Sequence, residues 1–216
     1  MKPIKKTNYH HGDLRQSIIN AVAQLIREKK GLNFQLKEVA ELVGTSQPAI
    51  YKHFDGKKEL LTEVAVVGYQ LQSKFREESL QQVSSNPLAQ MKSIGHSYLD
   101  FAQNYSGYFL LIKNLETKEI LSSKRYLAER EKTIKTITSI THRCIKEGLF
   151  ISVDLQIALT ALNAAVIGLA HLYITGQTSL LSTDKINMQD FLGQVLDLHI
   201  SSLLSEKGKQ AYAKLK

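Results

Sequence analysis

The sequence predicts an all-α fold of about nine helices, and three observations carry that prediction. Apolar residues recur at three- and four-residue intervals along most of the 216 residues, the spacing of one helix face. Three prolines and no tryptophan, set against many Leu, Ala, Lys, Gln and Glu, favour helix. No stretch of useful length alternates apolar and polar residues with the period of two that a half-buried strand requires.

The elements follow in order. Residues 1–8 form a polar arm with Lys2, Lys5 and Lys6. A first helix at about 11–30 presents Leu14, Ile18, Val22, Leu25 and Ile26 on one face and ends at Gly31. A second, about 36–43, turns Leu36, Val39, Ala40 and Val43 inward. A third, about 46–54, has Ala49, Ile50 and Phe54 inward and Thr45 or Ser46 as its N-cap. A long fourth helix opens near Lys57 and reaches about Ser84, with Leu60, Leu61, Val64, Val67, Leu71 and Phe75 as its stripe. Asn86-Pro87 starts a fifth, to about Tyr105, and Ser106-Gly107 separates it from a short helix at 108–114. Residues 115–123 read as loop. Helices at about 124–147 and 153–175 are stopped by Gly148 and Gly176. A polar loop covers 177–186, the last helix runs about 188–205, and a basic tail at 206–216 is expected to fray. The chain thus divides into a three-helix module (9–56), a connecting helix (57–84) and a helical bundle (85–206).

The formal net charge is +8, and residues 1–60 hold 11 Lys/Arg against 6 Asp/Glu. A polyanionic partner for this end follows, because each phosphate contact releases condensed counterions. The single cysteine, Cys144, excludes an intrachain disulfide and a cysteine zinc cluster, and its helical neighbours make a buried, inert thiol the expectation. No apolar stretch follows the basic N-terminus, so a cytoplasmic protein without signal peptide is expected. Residues 157–174 are 18 residues without formal charge, the minimum length for a membrane span. Thr160, Asn163 and His171 within the run, and the lack of a second such segment, favour a helix buried on nearly all sides, including in a dimer interface.

Residues 35–60, QLKEVAELVGTSQPAIYKHFDGKKEL, set a short amphipathic helix, a turn at Gly44, a second short helix and a cationic helix start in succession. That is the layout of a helix-turn-helix, which lays its second helix in the DNA major groove. Thr45, Ser46, Gln47, Pro48 and Ala49 open that helix, with Lys52 and His53 on its exposed face. Short hydroxyls and amides there can reach base edges or phosphates, and Gln47 can pair bidentately with adenine. Tyr51 can place its hydroxyl on a phosphate, and Lys57 brings charge to the free amides of a helix start. Lys5 and Lys6 of the arm and Lys37 of the second helix extend the same cationic surface.

The stretch GTSQPAIYKHFDGKKELL (44–61) resembles the TetR family of bacterial regulators through Gly44, Ser46, Ala49, Ile50, Tyr51, Phe54, Lys57, Leu60 and Leu61. Thr45 stands where valine is usual, and Pro48 where the family has a small residue. The opening Tyr9-His10-His11-Gly12-Asp13-Leu14-Arg15 is similar to one subgroup. VIGLAHLYITG (166–176) and YLDFAQNYSGYFLLI (98–112) resemble that subgroup's C-terminal domain, with Asn163 in place of its Trp and Ile167 in place of its His.

The resemblance implies a homodimer on a palindromic double-stranded DNA operator, its recognition helices one DNA turn (~34–36 Å) apart. It also implies repression released by an unidentified small-molecule effector. The last two long helices would form the dimer interface through Ala158, Leu162, Ala165, Leu169, Leu192, Val195 and Leu196. The effector cavity would lie inside the C-terminal helices, with Tyr98, Phe101, Tyr108, Phe109, His142, Asn163 and His171 as its candidates. Asn163 leads these, since an amide on an apolar helix should face a partner, a cavity or the dimer axis.

Two other function classes fit less well. The sequence has no Gly-rich phosphate loop, nucleophile elbow, zinc-ligand spacing or apolar carboxylate pair, so neither catalytic residue, metal nor cofactor is expected. A ligand-binding or interaction module without DNA binding would not need Tyr51, Lys52 and Lys57. Salt-dependent, sequence-specific DNA binding discriminates both from the regulator.

Overall fold

The structure is a computed structural model that describes residues 14–177 and 187–215. Its first helix, α1 (Leu14–Lys29), buries Ile18, Ile19, Val22, Leu25 and Ile26, the face expected from their spacing. The helix stops one residue short of the expected end, because Lys30 already takes a left-handed conformation (φ 49°). In α2 (Leu36–Val43) the Glu38 carboxylate returns to the Gln35 N–H at 2.7 Å, satisfying an amide that the first turn leaves free. Gly44 ends α2 at φ 73°, a region open to glycine without steric cost, and so reverses the chain. Ser46 caps α3 (Gln47–Tyr51), its Oγ accepting the Ala49 N–H at 3.3 Å. Regular helix ends at Tyr51, shorter than the expected 46–54. Val22, Ile26, Phe34, Val39, Ile50 and Phe54, all buried, are the common core of the three.

The long α4 (Gly56–Gln81) leads from this module into a bundle with α5 (Pro87–Asn104), α6 (Ser106–Asn114), α8 (Lys124–Lys146), α9 (Leu155–Thr175) and α10 (Met188–Ser201). Its first half buries Leu60, Leu61 and Val64, and its second buries Tyr69, Gln72 and Arg76. Glu63, 7% exposed, takes Arg15 of α1 on one carboxylate oxygen and Arg125 of α8 on the other. The module is thereby pinned to the bundle through a charge held out of solvent, where loss of a partner costs most. The N-terminus of α6 makes a second junction. A Cβ at Gly107 would stand 1.9 Å from the Ala23 carbonyl oxygen, so only glycine lets α6 rest on α1. Tyr108 beside it donates its hydroxyl to Asn20 Oδ1 at 2.7 Å.

Two helices were not expected. α7 (Lys118–Ser122) occupies the stretch read as loop, with Thr117 Oγ1 accepting the Ile120 N–H at 3.4 Å and Ile120 fully buried. α11 (Glu206–Ala213) replaces the expected frayed tail. Ser205 caps it by accepting the Gly208 N–H at 3.0 Å, and buried Tyr212 donates to Asp197 Oδ1 at 2.8 Å. Phe150 and Leu204 form an isolated antiparallel bridge that holds this segment to the α8–α9 linker. Cys144 is fully buried, and burial pushes its thiol up to about 12, as expected of an inert sulfur.

One orientation differs from expectation. Among the described residues α9 alone is long and apolar enough to cross a membrane, with a mean hydropathy of 1.8. Within one chain it is not enclosed on nearly all sides, since only Ala158, Leu162 and Ala170 are buried.

Candidate nucleic-acid interface and internal cavity

The turn at Gly44 and the Ser46 cap set α3 with Ile50 inward and its polar face outward. Gln47, Pro48, Lys52 and His53 are exposed and Tyr51 is 54% exposed, while Thr45 and Ala49 are half-buried. Phe54 closes the core behind this face and stacks under the Arg15 guanidinium at 5.0 Å. Lys37 of α2 is also exposed, and its ammonium lies 3.8 Å from Glu41 one turn on. Most of the expected contact residues of α2 and α3 are therefore open to solvent. The Ser46 oxygen accepts in the cap and keeps its own proton to donate. Lys5 and Lys6 fall outside the described residues.

Lys57 differs from the expectation of a phosphate contact. Its ammonium donates to the Leu32 and Phe34 carbonyls, each at 2.6 Å, and sits 4.0 Å from the centre of the Phe34 ring. Burial lowers its pKa. The nearby Glu38 carboxyl is held below its usual range by hydrogen bonding to Lys29. The N-terminus of α4 is filled as well, by the Glu59 carboxylate on the Asp55 N–H. Lys57 thus fastens the α1–α2 loop to α4. Lys57→Met is expected to lower stability by about 1–3 kcal/mol, since two carbonyls lose a charged donor. The salt slope of DNA binding should stay unchanged. A slope flattened by about one unit with stability intact would return Lys57 to the phosphate role.

The bundle forms a cavity of about 400 Å³, the size of a small-molecule site. Of the seven expected lining residues it gathers Tyr98 and Asn163. The rest do not line it. Phe101 is fully buried against Phe75 and Tyr105, and Phe109 packs edge-on to Tyr98. Tyr108 faces α1, with its hydroxyl on Asn20. His142 lies on a separate surface groove with Glu131 and Leu155. His171 Nδ1 lies 3.2 Å from Asn114 Nδ2. These aromatic residues are core, and the histidines lie outside the cavity. The sequence reading missed Tyr69, Gln72, Lys113 and Arg130, which supply much of the cavity's polarity. Lys113 ends a short helix and resembles any C-terminal lysine, so no local signal marks it.

The expected interface residues also divide. Ala158, Leu162, Leu192 and Leu196 are at most 7% exposed in a single chain, so they belong to its own core and offer nothing to a partner. Ala165, Leu169 and Val195 are half-buried. The more open stripe of α9 runs through Ile157 (63% exposed), exposed Ala164 and Leu172 (42%), with half-buried Ala161 and Gly168 at the helical spacing between them. A Cβ added at Gly168 would meet nothing within 4 Å, and Leu198 of α10 is 73% exposed.

Comparison with known proteins agrees with this geometry. Residues 18–64 match the model for bacterial regulatory proteins, tetR family. The nucleoid occlusion factor SlmA of a Marinomonas species is 29% identical over 101 residues, which are 46% of this chain and 50% of that protein. The chain thus spans about half the length of that curated relative. The TetR family transcriptional regulator PfmR of Thermus thermophilus superposes with a TM-score of 0.67 at 19% identity, covering 85% of this chain and 97% of that one. The fatty acid degradation regulator FadR of Bacillus halodurans gives 0.69 at 14% identity, covering 88% and 96%. A Rhodococcus protein of unknown function gives 0.70 at 22% identity, covering 93% and 100%. At such identities the superpositions establish the fold, and it is residues 18–64, the helix-turn-helix module, that match the tetR family model.

Proposed function

We propose that the chain is a sequence-specific repressor that binds a palindromic operator as a homodimer in the cytoplasm and leaves it when a small molecule fills the bundle cavity. The observation that carries this reading is the outward face of α3, where Gln47 and Tyr51 are exposed on a helix seated by the Ser46 cap, with Lys52 and His53 exposed just past its end. The division of labour follows the segments: DNA contact at 9–56, connection at 57–84, ligand and dimer contacts at 85–206. The path for release is α6. Its far end places Ile112 and Lys113 on the cavity wall, and its near end rests on α1 through Gly107 and Tyr108. A ligand that shifts α6 would reorient the module, and operator affinity would fall by population shift.

Selection of bound duplexes from a random DNA pool, at two salt concentrations, tests this reading. A palindromic motif whose binding weakens with salt is expected; no enrichment from folded protein would refute it. Gln47→Ala should relax preference at one operator position by about 1–3 kcal/mol. An unaltered selected motif would remove Gln47 from base contact.

A further inference from the structure

The wall of the cavity carries two cations, Lys113 and Arg130, against one carboxylate, Glu116, which acts on both. Lys113 donates to the Tyr69 hydroxyl at 3.2 Å, its one hydrogen bond among the described residues, although an ammonium has three protons to give. Its Nζ stands 4.8 Å from the centre of the Tyr69 ring and 5.7 Å from that of Tyr98. Burial lowers Lys113 to about 8, which still leaves it charged at neutral pH. Arg130, the second cation on the wall, stands 4.0 Å from Glu116, and that carboxylate also accepts the Tyr126 hydroxyl. Behind the wall, Arg76 is 5% exposed and bonds the Thr133 hydroxyl at 2.9 Å, with no carboxylate paired to it among the described residues.

Among the described residues, two buried polar atoms of side chains lining the cavity also lack partners. The Tyr98 hydroxyl and the Gln72 side-chain oxygen accept and donate nothing, although the two residues are 6% and 4% exposed and both line the cavity. Polar atoms held out of water without partners cost free energy, so a bound group that pairs with them is favoured. α8, α9 and α10 also give the cavity aliphatic lining, Ile137, Leu159, Val166 and Ile200, interspersed with Thr138, Thr160 and Asn163.

We infer that the cavity binds an organic anion with an aliphatic body, its carboxylate held by Lys113 and the Tyr98 hydroxyl and its chain lying along α9. This deepens the proposed effector reading and rests on it only for the consequence, not for the binding. Excess cations attract an anion, the tyrosine hydroxyl adds a neutral donor, and the aliphatic lining takes the apolar remainder.

Calorimetric titration of the full chain with decanoate, with decanol as the neutral analogue of the same length, tests the inference. Decanoate should bind at least tenfold more tightly than decanol. In Lys113→Met, decanoate should weaken at least tenfold while decanol is unchanged, and Tyr98→Phe should show the same trend more weakly. No decanoate binding, equal affinity for the two probes, or an unchanged Lys113→Met would each overturn it. Operator binding is measured separately on the same samples. Decanoate that binds but leaves the operator complex intact would sustain the carboxylate site and sink the effector role.

Discussion

Gly107→Ala is expected to destabilise the chain by about 3 kcal/mol. For a chain of this length that lowers the thermal midpoint by roughly 6–12 °C. The new Cβ would lie 1.9 Å from the Ala23 carbonyl oxygen and 2.7 Å from its carbon. Both are backbone atoms inside α1, so no rotamer change relieves the clash and the two helices must part. Gly95→Ala makes the instructive comparison. There the added carbon would meet Leu196 Cδ2 at 2.6 Å, the end of a flexible side chain, and the loss should be smaller. Parting α6 from α1 would also stretch the Tyr108–Asn20 bond, so operator affinity should fall along with stability. A thermal melt of both variants checks the order, and an unchanged midpoint for Gly107→Ala would mean that α6 does not approach α1 this closely.

The same junction marks the limit of what the sequence conveys. Helical periodicity announced α1, α2 and α4, because each keeps an apolar stripe, and α9 stood out as a long uncharged run. Gly107 read only as a break in that pattern, since nothing local places it against Ala23, distant in the chain. α7 and α11 are short, and their signals were single caps, Thr117 and Ser205, which are common outside helices too. Lys57 has the position of a phosphate contact, yet its partners are carbonyls of a loop more than twenty residues earlier. The outward face of α3 was legible because a helix that short has one inward position, Ile50, and the rest follows from geometry. The cavity was not. Lys113 meets Tyr69 across a separation of 44 residues, and tertiary packing alone brings them together.

Placing charge on the open stripe of α9 should have the second large effect. An apolar run permits buried residues on any side, which is why Leu162 and Ala158 could be taken for interface from sequence. The structure separates the two faces. Leu162→Glu would bury a carboxylate in the chain's own core and unfold it, and would therefore report nothing about association. Ile157→Glu with Leu172→Glu is different, because these side chains are 63% and 42% exposed and their replacement costs the isolated chain little. If a second copy covers the stripe, a two-fold axis brings four carboxylates into one apolar contact, and the dimer should dissociate. Gly168, open within 4 Å, lies between them and allows the close helix approach that such a contact needs. Light scattering should then give the mass of one chain with an unchanged helical spectrum. Operator affinity should drop by about 10²–10⁴, the gain that linking two half-site contacts provides. A variant that remains dimeric would move the interface away from this face of α9, with the exposed Leu198 of α10 as the next place to put a charge.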